Sequence, residues 1–187
     1  MASHVERPII FPLSNPTRLH EATPSELIEW TNGKVLVATG SPFSPVTYKG
    51  QTYDVAECNN STCFPGIGLG CVLSRARLLT DGMLVAAVKA LAALSPALRD
   101  PTKALLPDVD EAREISVKIA HAVIKKAVAE DVAQEDIPAD DDDLDEWIRE
   151  QMWAPVYRSL RPVQAGEASR AAKGEMGTAA LRPGRKA

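Results

Sequence analysis

Asn15, Asn59 and Asn60 are the side chains best suited to handling a small polar substrate. A carboxamide carries one neutral donor group and one neutral acceptor, so it can orient a carboxylate or a hydroxyl without adding charge. Asn15 ends one apolar run, Thr39-Gly40-Ser41 ends a second, and Asn59-Asn60 leads into a glycine-spaced segment. If the two runs are parallel strands, these residues share the rim outside the strand carboxyl ends, where open α/β sheets hold ligands. A plainer role stays open as well, since Asn15 and Asn60 can simply cap turns and helix starts.

Other chemistry is harder to place. A dinucleotide loop needs glycine at its first, third and sixth positions directly after a strand. In Gly66-Ile67-Gly68-Leu69-Gly70 the sixth place falls on Cys71 or Leu73. These glycines are expected to pack a helix tightly on a sheet instead. His4, His20 and His121 show no ligand spacing, and His121 reads as an ordinary helix residue. Cys58, Cys63 and Cys71 lack the paired two-residue spacing of zinc sites. The run Asp140-Asp141-Asp142-Asp143 is expected to be a solvated linker, because adjacent like charges repel and define no ligand geometry.

The elements that must position the asparagines can be read from the pattern. Arg7 to Leu13 is a continuous apolar run of the kind found in a strand buried on both faces of a parallel sheet. Ser14-Asn15-Pro16-Thr17 turns the chain. Thr23-Pro24-Ser25-Glu26 is a capping box for a short helix through Trp30, closed by Asn32-Gly33. Lys34 to Gly40 then gives a second strand, so the order implies a right-handed parallel crossover. Residues 41–54 read as a loop with a small hairpin. Thr80 caps a helix with Met83, Leu84, Val88, Leu91 and Leu94 on one face. Asp108 and Glu111 precede the longest helix, striped by Ile115, Ile119, Val123, Ala127, Ala120, Ile124 and Val128. Trp147, Met152, Trp153 and Tyr157 suggest an aromatic segment that docks on a core or partner.

The 187 residues suit one ordinary domain, and a net charge of -4 argues against a nucleic-acid partner. Three cysteines are too few for a disulfide scaffold. No apolar stretch reaches bilayer length, and no signal or transit peptide is expected. Residues 1–135 form the expected α/β domain, residues 136–161 an acidic linker and aromatic segment, and residues 162–187 a disordered tail.

Together these residues carry a resemblance. Arg7-Pro8-Ile9-Ile10-Phe11-Pro12-Leu13-Ser14-Asn15-Pro16-Thr17, Ala38-Thr39-Gly40-Ser41-Pro42-Phe43, and Asn59-Asn60 with Phe64-Pro65-Gly66-Ile67-Gly68-Leu69-Gly70 resemble the cofactor-binding domain of malic enzyme in order and interval. Thr80-Asp81 fits the following helix, and the resemblance covers about residues 7 to 160. It implies an α/β fold, the C-terminal half of a Rossmann-type NAD(P)-binding domain with parallel strands, followed by C-terminal helices. The activity it implies is oxidation of (S)-malate with NAD or NADP and decarboxylation to pyruvate, assisted by Mg²⁺ or Mn²⁺. By the same resemblance Asn15, Asn59 and Asn60 bind substrate, and Ser14, Asn15, Thr39 and Gly40 line the cofactor crevice.

The pattern departs from the family in one place. Ala56-Glu57-Cys58 stands where a glycine usually precedes the asparagine pair, and which asparagine meets the malate carboxylate stays open. The family's tyrosine acid, lysine base, carboxylate metal ligands and glycine-rich loop lie upstream of its Arg-Pro-Ile-Ile-Phe strand, so no residue here takes those roles and no metal ligand is assigned. The expectation is a C-terminal fragment, inactive by itself, whose Met1 is an internal methionine or a mispredicted start. The resemblance implies homo-oligomers and a location in cytoplasm or mitochondrial matrix. An alternative is a non-catalytic module that associates with full-length malic enzyme subunits, or a remnant without function. Half of some other Rossmann dehydrogenase would need a different crevice sequence.

Overall fold

Pro8 and Pro12 bracket the first strand, and neither can donate to a sheet ladder. In the computed structural model, which describes residues 1–157, regular pairing is accordingly confined to β1, Ile9–Ile10. It runs parallel to β2, Leu36–Thr39, with Ile9 opposite Leu36 and Ile10 opposite Val37. The proline carbonyls still accept from β2: Leu36 N–H donates to Pro8 O at 2.9 Å and Gly40 N–H to Pro12 O at 3.2 Å. The capping box holds as expected, with Thr23 N–H donating to Glu26 at 2.8 Å and Pro24 opening α1, Pro24–Trp30. Asn32 and Gly33, at φ 51° and 79°, return the chain to the sheet.

Leu27 and Ile28 of α1 bury one face of the sheet against Val35 and Val37, with Ile10 packed beside them. The expected hairpin is present as β3, Val46–Tyr48, and β4, Gln51–Tyr53, turning through Lys49-Gly50 with both φ values positive. A third parallel strand, β5, Ala56–Glu57, pairs with β2 and gives the order β1-β2-β5. The fold is thus α/β with parallel strands. β1 corrects the sequence reading, because it is a sheet edge and not a strand buried on both faces. Among the described residues only β2 pairs with it, and one of its faces is uncovered, with Ile9, Phe11 and Leu13 at 54%, 45% and 43% exposure.

The rest of the first unit, Met1–Met152, is helical. Helix α2, Phe64–Leu73, packs on α4, Ala112–Ala129, and not on the sheet as expected. A Cβ on Gly66 would lie 2.6 Å from Ile119 and one on Gly70 2.7 Å from Val123, so glycine sets this close approach. Helix α3, Asp81–Ala93, is capped by Thr80, and of the expected face Met83 and Leu91 pack into the core. Met83 and Ala87 point inward, while Leu84 and Val88 are exposed. At Gly82 a Cβ would run into Glu130 and Lys126 of the α4 end, so glycine permits this close approach.

α4 is buried on two sides. Ile115, Ile119, Val123 and Ala127 meet α3 and α2, and Val117, Ala120 and Ile124 meet the last helix, whereas Val128 is exposed. Asp108 caps the short turn Val109–Glu111 that leads into α4, not the helix itself.

The acidic run is no linker. Asp140 caps α5, Asp141–Gln151, accepting from Asp142 and Asp143 N–H, and the acidic first turn suits the positive end of a helix dipole. Lys125 and Lys118 of α4 supply counter-charges to Asp141 and Asp145, which adjacency in sequence does not reveal. Leu144 and Ile148 are fully buried, with Trp147 and Met152 packed beside them.

The second unit begins at Trp153. Its described residues, 153–157, have no helix or strand, and Trp153 and Tyr157 are exposed. The disordered tail expected over 162–187 lies outside the described residues. Among the described residues no helix is long and apolar enough to cross a membrane.

Candidate functional site

The carboxyl ends of β1, β2 and β5 bring the three sequence-predicted segments to one rim. Gly40 makes this approach tight: a Cβ there would run into the Leu13 carbonyl oxygen. The β2 and β5 ends are joined by Cys58 N–H donating to Thr39 O at 2.7 Å. Each polar side chain on the rim can then be followed to its partner.

Ser14 is engaged, its hydroxyl donating to Glu21 at 2.6 Å, and that bond holds the Glu21 carboxyl below its usual range. Thr39 is fully buried, and its hydroxyl donates to Ser41 O at 2.8 Å. Ser14, Thr39 and Gly40 can therefore line a crevice mainly through their backbone. Asn15 is exposed, and its Oδ1 accepts from the Ser41 hydroxyl.

The adjacent asparagines differ completely. Asn59 Nδ2 donates to Glu57 at 3.0 Å while its Oδ1 accepts from Ser61 N–H at 3.0 Å, so it caps the turn Asn60–Thr62. Asn60 is exposed and its side chain joins none of the hydrogen bonds among the described residues. A carboxylate arriving at this rim finds Asn60 free and Asn59 committed. Sequence reasoning missed both supporting residues, Ser41 for Asn15 and Glu57 for Asn59.

His20 sits behind the rim with its ring edge-on to Phe43 at 5.1 Å, and both ring nitrogens are buried without a partner. Burial pushes the thiols of Cys58, Cys63 and Cys71 up, so none presents a ready thiolate. A cleft of about 700 Å³ opens beside Glu57 and Phe43. Asp54, Glu57, Asp108, Asp110 and Glu111 line it against Lys103 alone, a charge balance that repels an anion.

Asn15 Nδ2 makes no hydrogen bond among the described residues. Among the described residues there is no glycine-rich loop after a strand to take a pyrophosphate. A divalent cation does not fit these residues: no group of three or more His, Cys, Asp or Glu among those described could hold one.

Comparison with known proteins converges on one family. The family described as malic enzyme, NAD binding domain, matches residues 1–128. A NAD-dependent malic enzyme of Schizosaccharomyces pombe is 51% identical over 158 residues, which is 84% of this chain and 28% of that protein. One from Aliivibrio fischeri is 52% identical over 161 residues, 86% of this chain and 28% of the relative. The crystal structure of malic enzyme from Pyrococcus horikoshii superposes with a TM-score of 0.56 at 28% identity, over 76% of this chain and 28% of that one. The Entamoeba histolytica malic enzyme gives 0.55 at 27% identity, over 89% and 29% respectively. The chain thus spans little more than a quarter of the length of these relatives.

Proposed function

Because the chain belongs to the malic enzyme family, matched through its NAD-binding domain, we propose that its rim holds (S)-malate and the nicotinamide end of NAD in oxidative decarboxylation to pyruvate. The carrying observation is the division of labour between the asparagines. Asn60, with no partner, donates its carboxamide N–H to a malate carboxylate, and Asn59 holds the turn that presents it. Asn15 Nδ2 reaches the substrate or the nicotinamide amide, and Ser14, Thr39 and Gly40 form the crevice floor. Bound NAD would supply the acceptor for the malate hydride. The relatives' description as NAD-dependent supports NAD over NADP.

The chain alone does not turn over malate in this reading, because the residues that match the family include no acid, base or metal ligand. Purified chain is expected to show no reduction of NAD or NADP with malate and Mn²⁺, and turnover would overturn that. For the rim itself, malate added to ¹⁵N-labelled chain should shift the Asn60 side-chain amide and leave that of Asn59 in place. A shift confined to Asn59 would reverse the assignment.

A second reading, a non-catalytic module that associates with malic enzyme subunits, is favoured by the exposed apolar row Ile9, Phe11 and Leu13 on β1, which stands at the edge of the sheet among the described residues. Co-purification with a full-length subunit would support it.

A further inference from the structure

We propose that Ser41 is a positioning residue that fixes Asn15 as a hydrogen-bond donor toward the ligand. The proposal rests on the ligand-facing role given above to the rim. Its observation is a relay between loops far apart in sequence. The buried Thr39 hydroxyl donates to the Ser41 carbonyl at 2.8 Å, which sets the backbone of the β2 exit. Gly40 lets that exit lie against Leu13, and this brings the Ser41 hydroxyl onto Asn15 Oδ1 across 26 residues of sequence.

A carboxamide has one oxygen and one NH₂ group, both in its plane and on opposite sides of the Cβ–Cγ axis. Once Oδ1 accepts from Ser41, Nδ2 faces away from it, and Nδ2 makes no hydrogen bond among the described residues. The free side of Asn15 is then a donor only. It selects an acceptor, a carboxylate or an amide carbonyl, over a ligand that offers a donor. Without the Ser41 hydroxyl the amide can turn over and present its oxygen, which repels a carboxylate. Asn59 shows another use of the same side chain, since its Oδ1 accepts from Ser61 N–H and its Nδ2 donates to Glu57, which ties it to its own turn.

The test uses the full ¹⁵N-labelled chain and two variants, Ser41→Ala and Ser41→Thr, with the backbone signals of Ile28 and Val37 as a check on the fold. Without ligand, the Asn15 side-chain NH₂ should be ordered in the parent and in Ser41→Thr, and mobile in Ser41→Ala. With malate as probe, half-saturation read at the Asn15 NH₂ should rise about fivefold in Ser41→Ala, the worth of one neutral hydrogen bond, and return in Ser41→Thr. Equal order and equal half-saturation in all three proteins would overturn the proposal, as would a natively folded Ser41→Thr that fails to restore them. If malate moves neither Asn15 nor Asn60 in the parent, the reading of the rim fails, while the ligand-free comparison still decides the role of Ser41.

Discussion

The helical layer and the sheet rim are built on opposite terms. In the layer, Ile119, Val123 and Ile124 are fully buried, and glycines bring α2 onto α4 with no charged group in the seam. At the rim, strands of two to four residues end in exposed polar loops held together by single hydrogen bonds. Burial stabilises the layer in proportion to apolar area, whereas the rim gains little from each neutral bond. The layer is where stability resides, and the rim is where side chains stay free to meet a ligand.

The largest test of that contrast is a pair of isoleucines. Ile119→Ala should cost about 2–5 kcal/mol in denaturant unfolding, and Ile9→Ala, on the exposed edge, no more than about 0.5 kcal/mol. Equal losses would show that the edge is as well packed as the layer. Next comes a contrast within α2. Gly70→Ala places its Cβ 2.7 Å from Val123 and should destabilise by about 1–3 kcal/mol, whereas Gly68→Ala meets open space and should gain up to about 1 kcal/mol of helix propensity. Thermal melts of the two variants should therefore move in opposite directions.

The smallest effect is expected at the α4–α5 seam, which is held partly by charge. Burial pushes the Asp145 carboxyl up, but its hydrogen bonds to Lys118 and His121 outweigh that and hold it below the usual range. Lys125 likewise lowers Asp141. A carboxylate lowered in the folded state contributes stability above its unfolded value of about 3.9, and loses it as pH falls through the lower folded value. Hydrogen exchange should show α5 loosening below about pH 4 before the α2–α4 seam does. Simultaneous opening of both would deny the distinction.

How much of this could be read beforehand follows the range of the interactions. Thr23 with Glu26 and Thr80 with Met83 act within one turn, so both helix starts were evident. β5 was not, because two residues carry no periodicity. The facing of α3 was legible only in part, because apolar residues surround the helix: Met83 and Leu91 face the core as expected, whereas Leu84, Val88 and Leu94 are exposed. The acidic run was misjudged because its lysine partners lie on another helix. At the site, resemblance drew attention to Asn15, Asn59 and Asn60. The partners that separate their roles, Ser41 and Glu57, act through geometry that a pattern of residue types does not contain.

α4 is the shared surface on which α2, α3 and α5 each find their main contacts. That arrangement sets an order in time. None of the three can bury its inner face until α4 is in place, which predicts that α4 is structured early in folding. Substitutions at Ile119 or Ile124 should then appear chiefly as slower refolding, and those at the rim as faster unfolding.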